Sequence, residues 1–337
     1  MNNTKKTITM IDVARDAGVG TMTVSRALRE PTKVNPETRQ AVMTSVMKLG
    51  YVIDATAAAL SSKRTRIVGA VVSTLDQSIF AETIRGLTNG LQASGQQLLV
   101  ATTDYDKDKE SELISAMIGR KPEAIVLTSS EHSESAINLI KAANILTIET
   151  WEIPKKPICA AVGFSNRDAG QSITKHLLEV GRKKIAFLGV DRDGDTRGRL
   201  RHQGYCDVIK NKHQNLSELQ SPKIGYLGPD YGASGLNMIL KQWPDVDAIV
   251  CASDAIAFGV YCEANRKGIQ VPTDLAITGF GDFDYARDSG VGLTTVRING
   301  EKIGQVTSEL ISESNSGVDI SGRVVDLGFE VVRRLTS

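Results

Sequence analysis

Residues 9–51, TMIDVARDAGVGTMTVSRALREPTKVNPETRQAVMTSVMKLGY, carry three helix-length apolar stripes separated by two short breaks, and this pattern constrains the fold more than any other stretch. Thr9, with Asp12 three residues later, predicts a capping-box start for a helix whose Ile11, Val13 and Ala14 face inward; Gly18 stops it. After the Gly18-Val19-Gly20 turn a second helix runs from Thr21 to Leu28. Val24, Ala27 and Leu28 lie on one face of it, and Thr21, Met22 and Arg26 on the other. Asn35 caps a third helix with Pro36 at its first position, and Val42, Val46 and Leu49 form its buried stripe. Two helices joined by a tight glycine turn and steadied by a third form a helix-turn-helix, with the outer face of the second helix left to touch a partner.

Charge agrees with this layout. Residues 1–66 hold 11 Lys or Arg against 5 Asp or Glu, and the rest of the chain holds 29 against 34, so a net charge of +1 conceals a basic head. A basic head suits a polyanionic partner. The bland alternative, a small helical cap with a solvated basic face, explains the charge but not the joint agreement of caps, turn and periodicity.

The segment VARDAGVGTMTVSRAL closely resembles the head of the LacI/GalR-type bacterial repressors. The resemblance continues through Leu49-Gly50-Tyr51 and covers essentially the whole chain. It implies that the second helix enters the major groove of double-stranded DNA, where Thr21 and Met22 read base edges. Thr23, Ser25 and Arg26 then match backbone- and base-contacting positions, with Thr9 also among the DNA contacts. It further implies that DATAAALSSKRTR, too short to be a stable helix alone in water, folds into a hinge helix on DNA whose Leu60 wedges into the minor groove. Tyr51-Val52-Ile53-Asp54 departs from the family's usual Tyr-x-Pro-Asn, which puts the hinge contacts in question.

From Arg66 the texture changes to apolar runs alternating with amphipathic stretches: IVGAVVS, a helical pattern over 80–94, QLLVATT, another helix, AIVLTS and ILTIET. A second series begins near Ala160, with strands expected around KKIAFLG, KIGYLG, DAIVCA and LAITGF. This is the pattern of parallel sheets flanked by helices. The expected fold is an N-terminal all-α helix-turn-helix head followed by an α/β periplasmic-binding-protein-like regulatory domain of two parallel-sheet subdomains. The expected boundaries are 1–52 for the head, 53–66 for the hinge and 67–337 for an effector-binding and dimerisation domain. The resemblance makes each subdomain discontinuous, one covering about 67–159 plus 295–320 and the other about 160–294 plus 321–337.

Open parallel sheets bind ligands at the carboxyl ends of their strands, and two facing sheets make a cleft that closes on a small molecule. Hydroxyls, carboxylates, an arginine and aromatic rings follow the predicted strands, a set suited to polyols. The candidates are Gln77, Phe80, Ser129, Glu149, Phe164, Arg201, Tyr231, Ser253 and Asp282, several of which match effector-contacting positions of the family. Arg201, in RLRHQGY, fits the family's Arg-x-x-Gly-aromatic pattern, and a guanidinium suits paired hydroxyls or a carboxylate. The alternatives are a surface salt bridge for Arg201, ordinary packing for Tyr231, and solvated loop carboxylates for Glu149 and Glu152. Gly281 stands where sugar-binding members often carry Asp. Phe280-Gly281-Asp282 with Val162-Gly163-Phe164-Ser165-Asn166 looks most like the branch that regulates use of gluconate and related sugar acids.

Enzyme readings lack their motifs. No GxGxxG or GxxxxGK[ST] follows a predicted strand, His132, His176, His202 and His213 are scattered, and Cys159, Cys206, Cys251 and Cys262 lack CxxC spacing. No cofactor or metal is expected, and the cysteines are expected as reduced, mostly buried thiols. Two other classes remain for comparison: a two-lobed solute-binding protein, which needs a signal peptide that MNNTKKTITMIDVARDAG does not resemble, and a sugar-processing enzyme. The reading is therefore a cytoplasmic, sequence-specific regulator that binds a palindromic operator as a homodimer and responds to a sugar or sugar acid, without a membrane partner. The ending Arg333-Arg334-Leu335-Thr336-Ser337 carries no heptad for a tetramerising coiled coil.

Overall fold

The computed structural model describes residues 8–52, 64–75, 78–189, 195–211, 217–220, 228–288 and 290–337. The expected hinge with Ile53, Asp54 and Leu60, and the expected effector residue Gln77, lie outside them. The chain divides into two units, Met1–Thr65 and Arg66–Ser337.

The first unit contains α1 (Met10–Asp16), α2 (Thr21–Arg29), a 3-10 turn at Pro31–Lys33 and α3 (Pro36–Leu49). The Asp12 carboxylate accepts from the backbone N–H of Thr9 at 3.0 Å and from its hydroxyl at 2.7 Å, which fixes the start of α1. Asn35 Oδ1 accepts from Glu37 N at 2.9 Å above Pro36, and Gly50 closes α3 in the left-handed conformation. Val13, Ala14, Val24, Ala27 and Val42 form the shared core, with Val46, Leu49 and Tyr51 packed at its edge. Ile11 departs from the expectation: it is 60% exposed. Two residues advance a helix by about 200°, so a residue two before buried Val13 faces away from the core.

In the second unit, β1 (Ile67–Val72), β2 (Gln97–Thr102), β3 (Ala124–Leu127), β4 (Leu146–Thr150), β5 (Ala160–Gly163) and β11 (Val324–Asp326) form one sheet in the order β11-β5-β4-β3-β1-β2. The other sheet has the order β12-β10-β9-β8-β6-β7. Its strands are β6 (Ile185–Gly189), β7 (Ser217–Gln220), β8 (Ala248–Cys251), β9 (Ala276–Gly281), β10 (Thr294–Arg297) and β12 (Glu330–Val332). All pairings are parallel except β10 with β12. The near-continuous apolar strands, buried throughout in β3, β5, β6 and β8, are what sheets covered on both faces require.

Helices α4 (Ser78–Ala93), α5 (Lys107–Ile118), α6 (Glu134–Ala143) and α12 (Gly300–Asn315) accompany the first sheet. Helices α7 (Asn166–Glu179), α8 (Thr196–Asn211), α9 (Pro229–Gln242) and α10 (Asp254–Arg266) accompany the second, and α11 (Asp284–Asp288) follows β9. A Cβ at Gly86 would meet Glu301 O at 2.2 Å, so only glycine permits the close crossing of α4 and α12 that returns the chain to the first lobe.

Three details differ from the sequence expectation. Strand β5, at 160–163, pairs with β4, so the change to the second lobe comes one strand later than Ala160. Strand β10, at 294–297, belongs to the second sheet, and β11, at 324–326, to the first. The strand beside β6 is Ser217–Gln220, whereas KIGYLG falls, except for Gly228, outside the described residues. The short β5, AAVG, has Val162 as its one β-branched residue, and nothing local says which sheet it joins.

Candidate nucleic-acid interface and effector cleft

On the head, α2 presents Thr21, Met22 and Arg26 to solvent, with Met22 at 73% exposure, while Val24 and Ala27 are buried beneath. Thr23 and Ser25 are half-buried on the flanks, and Thr9 is exposed with its hydroxyl held by Asp12. The first turn of α2 carries no acidic residue, and Arg26 and Arg29 lie in its last turn. Its amino end thus keeps the positive dipole end available to a phosphate. A large exposed thioether beside a hydroxyl and a guanidinium costs solvation with no packing return inside the head, and its chemistry suits apolar and hydrogen-bonding contacts with base edges.

In the second unit the carboxyl ends of both sheets meet around α8. Arg197, only 6% exposed, crosses from α8 to the first lobe, donating through Nη1 to Thr128 O and through Nη2 to Ser73 Oγ at 2.9 Å. Beside it, Glu131 accepts from Thr196 Oγ1 at 3.0 Å and pairs with Arg199. One turn on, Arg201 Nη1 donates to Asn166 Oδ1 at 2.6 Å, while its buried Nε finds no acceptor among the described residues. Burial pushes the Arg201 pKa below its ordinary value, against the opposing pull of Asp195.

Four rings form a chain through this region: Phe80 to Trp151 at 5.3 Å, Trp151 to Phe164 at 6.0 Å, and Phe164 to Phe280 at 6.1 Å between centroids. The Arg197 guanidinium lies 4.7 Å from the Phe80 centroid and that of Arg201 lies 4.2 Å from Phe280, so the two arginines stand at opposite ends of the chain. Trp151 holds φ +73°, and its indole N–H donates to Thr83 Oγ1 at 3.1 Å. Such backbone strain in a bulky residue persists only where surroundings enforce it. Asn166 joins the chain to a carboxylate: its Nδ2 donates to Glu152 Oε2 at 2.7 Å. Burial raises the Glu152 pKa, and Asn166 opposes the rise.

Of the sequence candidates, Phe80, Phe164 and Arg201 converge here, with Ser129 at the rim, where its Oγ donates to Glu131 O at 3.1 Å. Others have their polar atoms engaged elsewhere. Asp282 is held by Arg297 Nε and Arg334 Nη2, each at 2.6 Å. Tyr231 donates its hydroxyl to Gly189 O at 2.9 Å, and Ser253 Oγ caps α10 by accepting from Ile256 N at 3.4 Å. Gly281 has φ +130°, and a Cβ there would meet the Phe283 ring at 2.7 Å, so this backbone requires glycine and an Asp would strain it.

Glu149 is buried rather than solvated. It accepts from Ile158 N at 2.6 Å and lies 3.5 Å from Nε2 of His132, whose Nδ1 is 2.9 Å from Glu110. Burial alone would lower the His132 pKa; hydrogen bonds and charge from Glu110 and Glu149 outweigh it and raise the value to about 9. This triad escaped sequence reading because its members lie on three separate elements. Arg197 was readable only as one of several basic residues opening α8. Of the cysteines, only Cys251 is buried; Cys159, Cys206 and Cys262 are half-buried, and none of the four is in a disulfide.

Comparison with known proteins extends over both units. Residues 9–54 match the model of bacterial regulatory proteins of the lacI family, and residues 65–322 match that of periplasmic binding proteins and the sugar binding domain of the LacI family. The HTH-type transcriptional regulator GntR of Pseudomonas aeruginosa is 30% identical over 328 residues, 97% of this chain and 94% of that protein. The crystal structure of a LacI-family transcriptional regulator from Silicibacter pomeroyi superposes with a TM-score of 0.90 at 28% identity, covering 98% of this chain and 99% of that one. That of the transcription regulator GntR from Chromobacterium violaceum gives 0.76 at 30% identity, covering 80% and 99%.

Proposed function

Because the chain belongs to the LacI family of bacterial regulatory proteins, we propose that this DNA-binding transcriptional regulator represses genes for the use of a gluconate-like sugar acid, releasing or engaging its operator as the effector fills the cleft. The observation that carries the effector class is Arg201: a guanidinium whose buried Nε has no partner among the described residues, facing a neutral amide and lying over a ring. A carboxylate answers the guanidinium, and hydroxyls and an apolar face answer Asn166 and the aromatic chain. Similarity to regulators named GntR agrees with this class.

On the head, Thr21 and Met22 are the proposed base readers, Thr9, Thr23, Ser25 and Arg26 the proposed flanking contacts, and Leu60 the proposed wedge. In the second unit Phe80, Ser129, Phe164 and Arg201 are the proposed effector contacts, joined by Trp151 and Asn166. Two copies paired through this unit would present reading helices to a palindrome with half-sites about 34 Å apart. Cytoplasmic residence follows from a DNA target and agrees with four cysteines outside any disulfide. No helix among the described residues is long and apolar enough to cross a membrane. A mobility-shift titration on the palindromes flanking the coding region, with and without D-gluconate, tests the reading: a shifted midpoint supports it, and an unchanged midpoint across gluconate and related acids removes the effector class.

A further inference from the structure

Arg197 and Arg201 sit four residues apart on α8, hence on one face of it and about 6 Å apart along its axis. Neither has a carboxylate within 4 Å among the described residues. Arg197 is met by a carbonyl, a hydroxyl and the Phe80 ring, and Arg201 by an amide oxygen and the Phe280 ring. Of the acidic groups around them, Glu131 holds Thr196 and Arg199, while Asp195 and Glu152 act on Arg201 through space without touching either guanidinium. Among the described residues both guanidiniums therefore meet only neutral acceptors, and an anionic group seated against each would form the charge-assisted hydrogen bonds that carbonyl, hydroxyl and amide oxygens do not. A monocarboxylate supplies one such group.

We infer that the effector carries a second acidic group, and that Arg197 is the residue that selects it: the ligand is a six-carbon sugar acid with an anionic group at each end. This rests on the sugar-acid reading above and deepens it. The acid that meets Arg201 anchors one end. The second group, a carboxylate or a phosphate monoester, meets Arg197 beside Ser73 and Thr128, whose hydroxyls lie 3.4 Å apart. Because Arg197 reaches across to the first lobe, an anion seated there also bears on how the lobes close. Arg201 alone recognises any sugar acid; the pair distinguishes a dianion from a monoanion.

The test is calorimetric titration of the full-length protein with D-gluconate, D-glucarate and 6-phospho-D-gluconate, repeated on Arg197→Gln and Arg197→Lys. At least one of the two dianions is expected to bind about tenfold or more tightly than gluconate, an advantage reduced to roughly twofold in Arg197→Gln and partly kept in Arg197→Lys. Which dianion wins separates a carboxylate from a phosphate. If the substituted proteins fail to fold, the wild-type comparison still decides. Equal or better binding of gluconate overturns the inference and leaves the sugar-acid reading standing, as does a dianion preference that survives Arg197→Gln. Binding of none of the three, with operator binding intact, overturns both.

Discussion

Nη2 of Arg197 lies 2.9 Å from Oγ of Ser73, so a hydrogen bond joins the helix after β6 of the second sheet to the end of β1 in the first. With the Thr196 and Arg199 contacts to Glu131, it ties the two lobes on one side of the cleft. An effector acts by changing how favourable that closed arrangement is, since a ligand shifts a conformational equilibrium only through its differential affinity for the two states.

Glu131→Ala removes both ties from α8 to the rim. Because the Glu131 side chain is 49% exposed, the ion pair itself is worth only about 0–1 kcal/mol. The expected result is an effector affinity lowered by roughly fivefold or less, with a larger radius of gyration in solution scattering of the free protein; unchanged scattering would show that other contacts hold the lobes.

His132→Gln is expected to destabilise the first lobe more at pH 6 than at pH 9. The folded pKa of about 9 lies above the ordinary value of 6.5, so the contribution is complete below pH 6.5 and disappears as pH rises through 9. At roughly 1.4 kcal/mol per unit it reaches about 3 kcal/mol as an upper bound. Urea midpoints of the wild type and variant across that range measure it, and parallel curves would contradict the triad.

Asp282→Asn is expected to cost roughly 3 kcal/mol in urea unfolding while leaving effector affinity nearly unchanged, because the carboxylate is buried between Arg297 and Arg334 rather than open to the cleft. A stable variant that loses effector binding would restore Asp282 to the site.

Met22→Ala is expected to change which bases are preferred at one or two operator positions by about 1–3 kcal/mol, with the melting temperature nearly unchanged, since the side chain makes no core contact. Selection from a randomised half-site, sequenced for both proteins, reads the change directly.

Caps, turn and stripe of the head were legible because they are local: Thr9 with Asp12, Gly18, and Asn35 with Pro36 act within a few residues. The alternating texture of the second unit likewise announced two parallel sheets. What stayed hidden depends on distant partners. Asp282 looks like a free carboxylate until Arg297 and Arg334 arrive from β10 and the segment after β12, and His132 looks isolated until α5 and β4 bring Glu110 and Glu149 beside it. Arg201 was legible from its neighbours in sequence, whereas the importance of Arg197 comes from Ser73 and Thr128, more than sixty residues away.

The central claim is that the cleft and the reading helix are coupled, and coupling between two ligands is reciprocal. Titrating the sugar acid that binds most tightly into the protein, free and saturated with operator duplex, measures it most directly. The account predicts that effector affinity changes on operator binding by the same factor by which the effector changes operator affinity. Identical effector affinity in both titrations would contradict it.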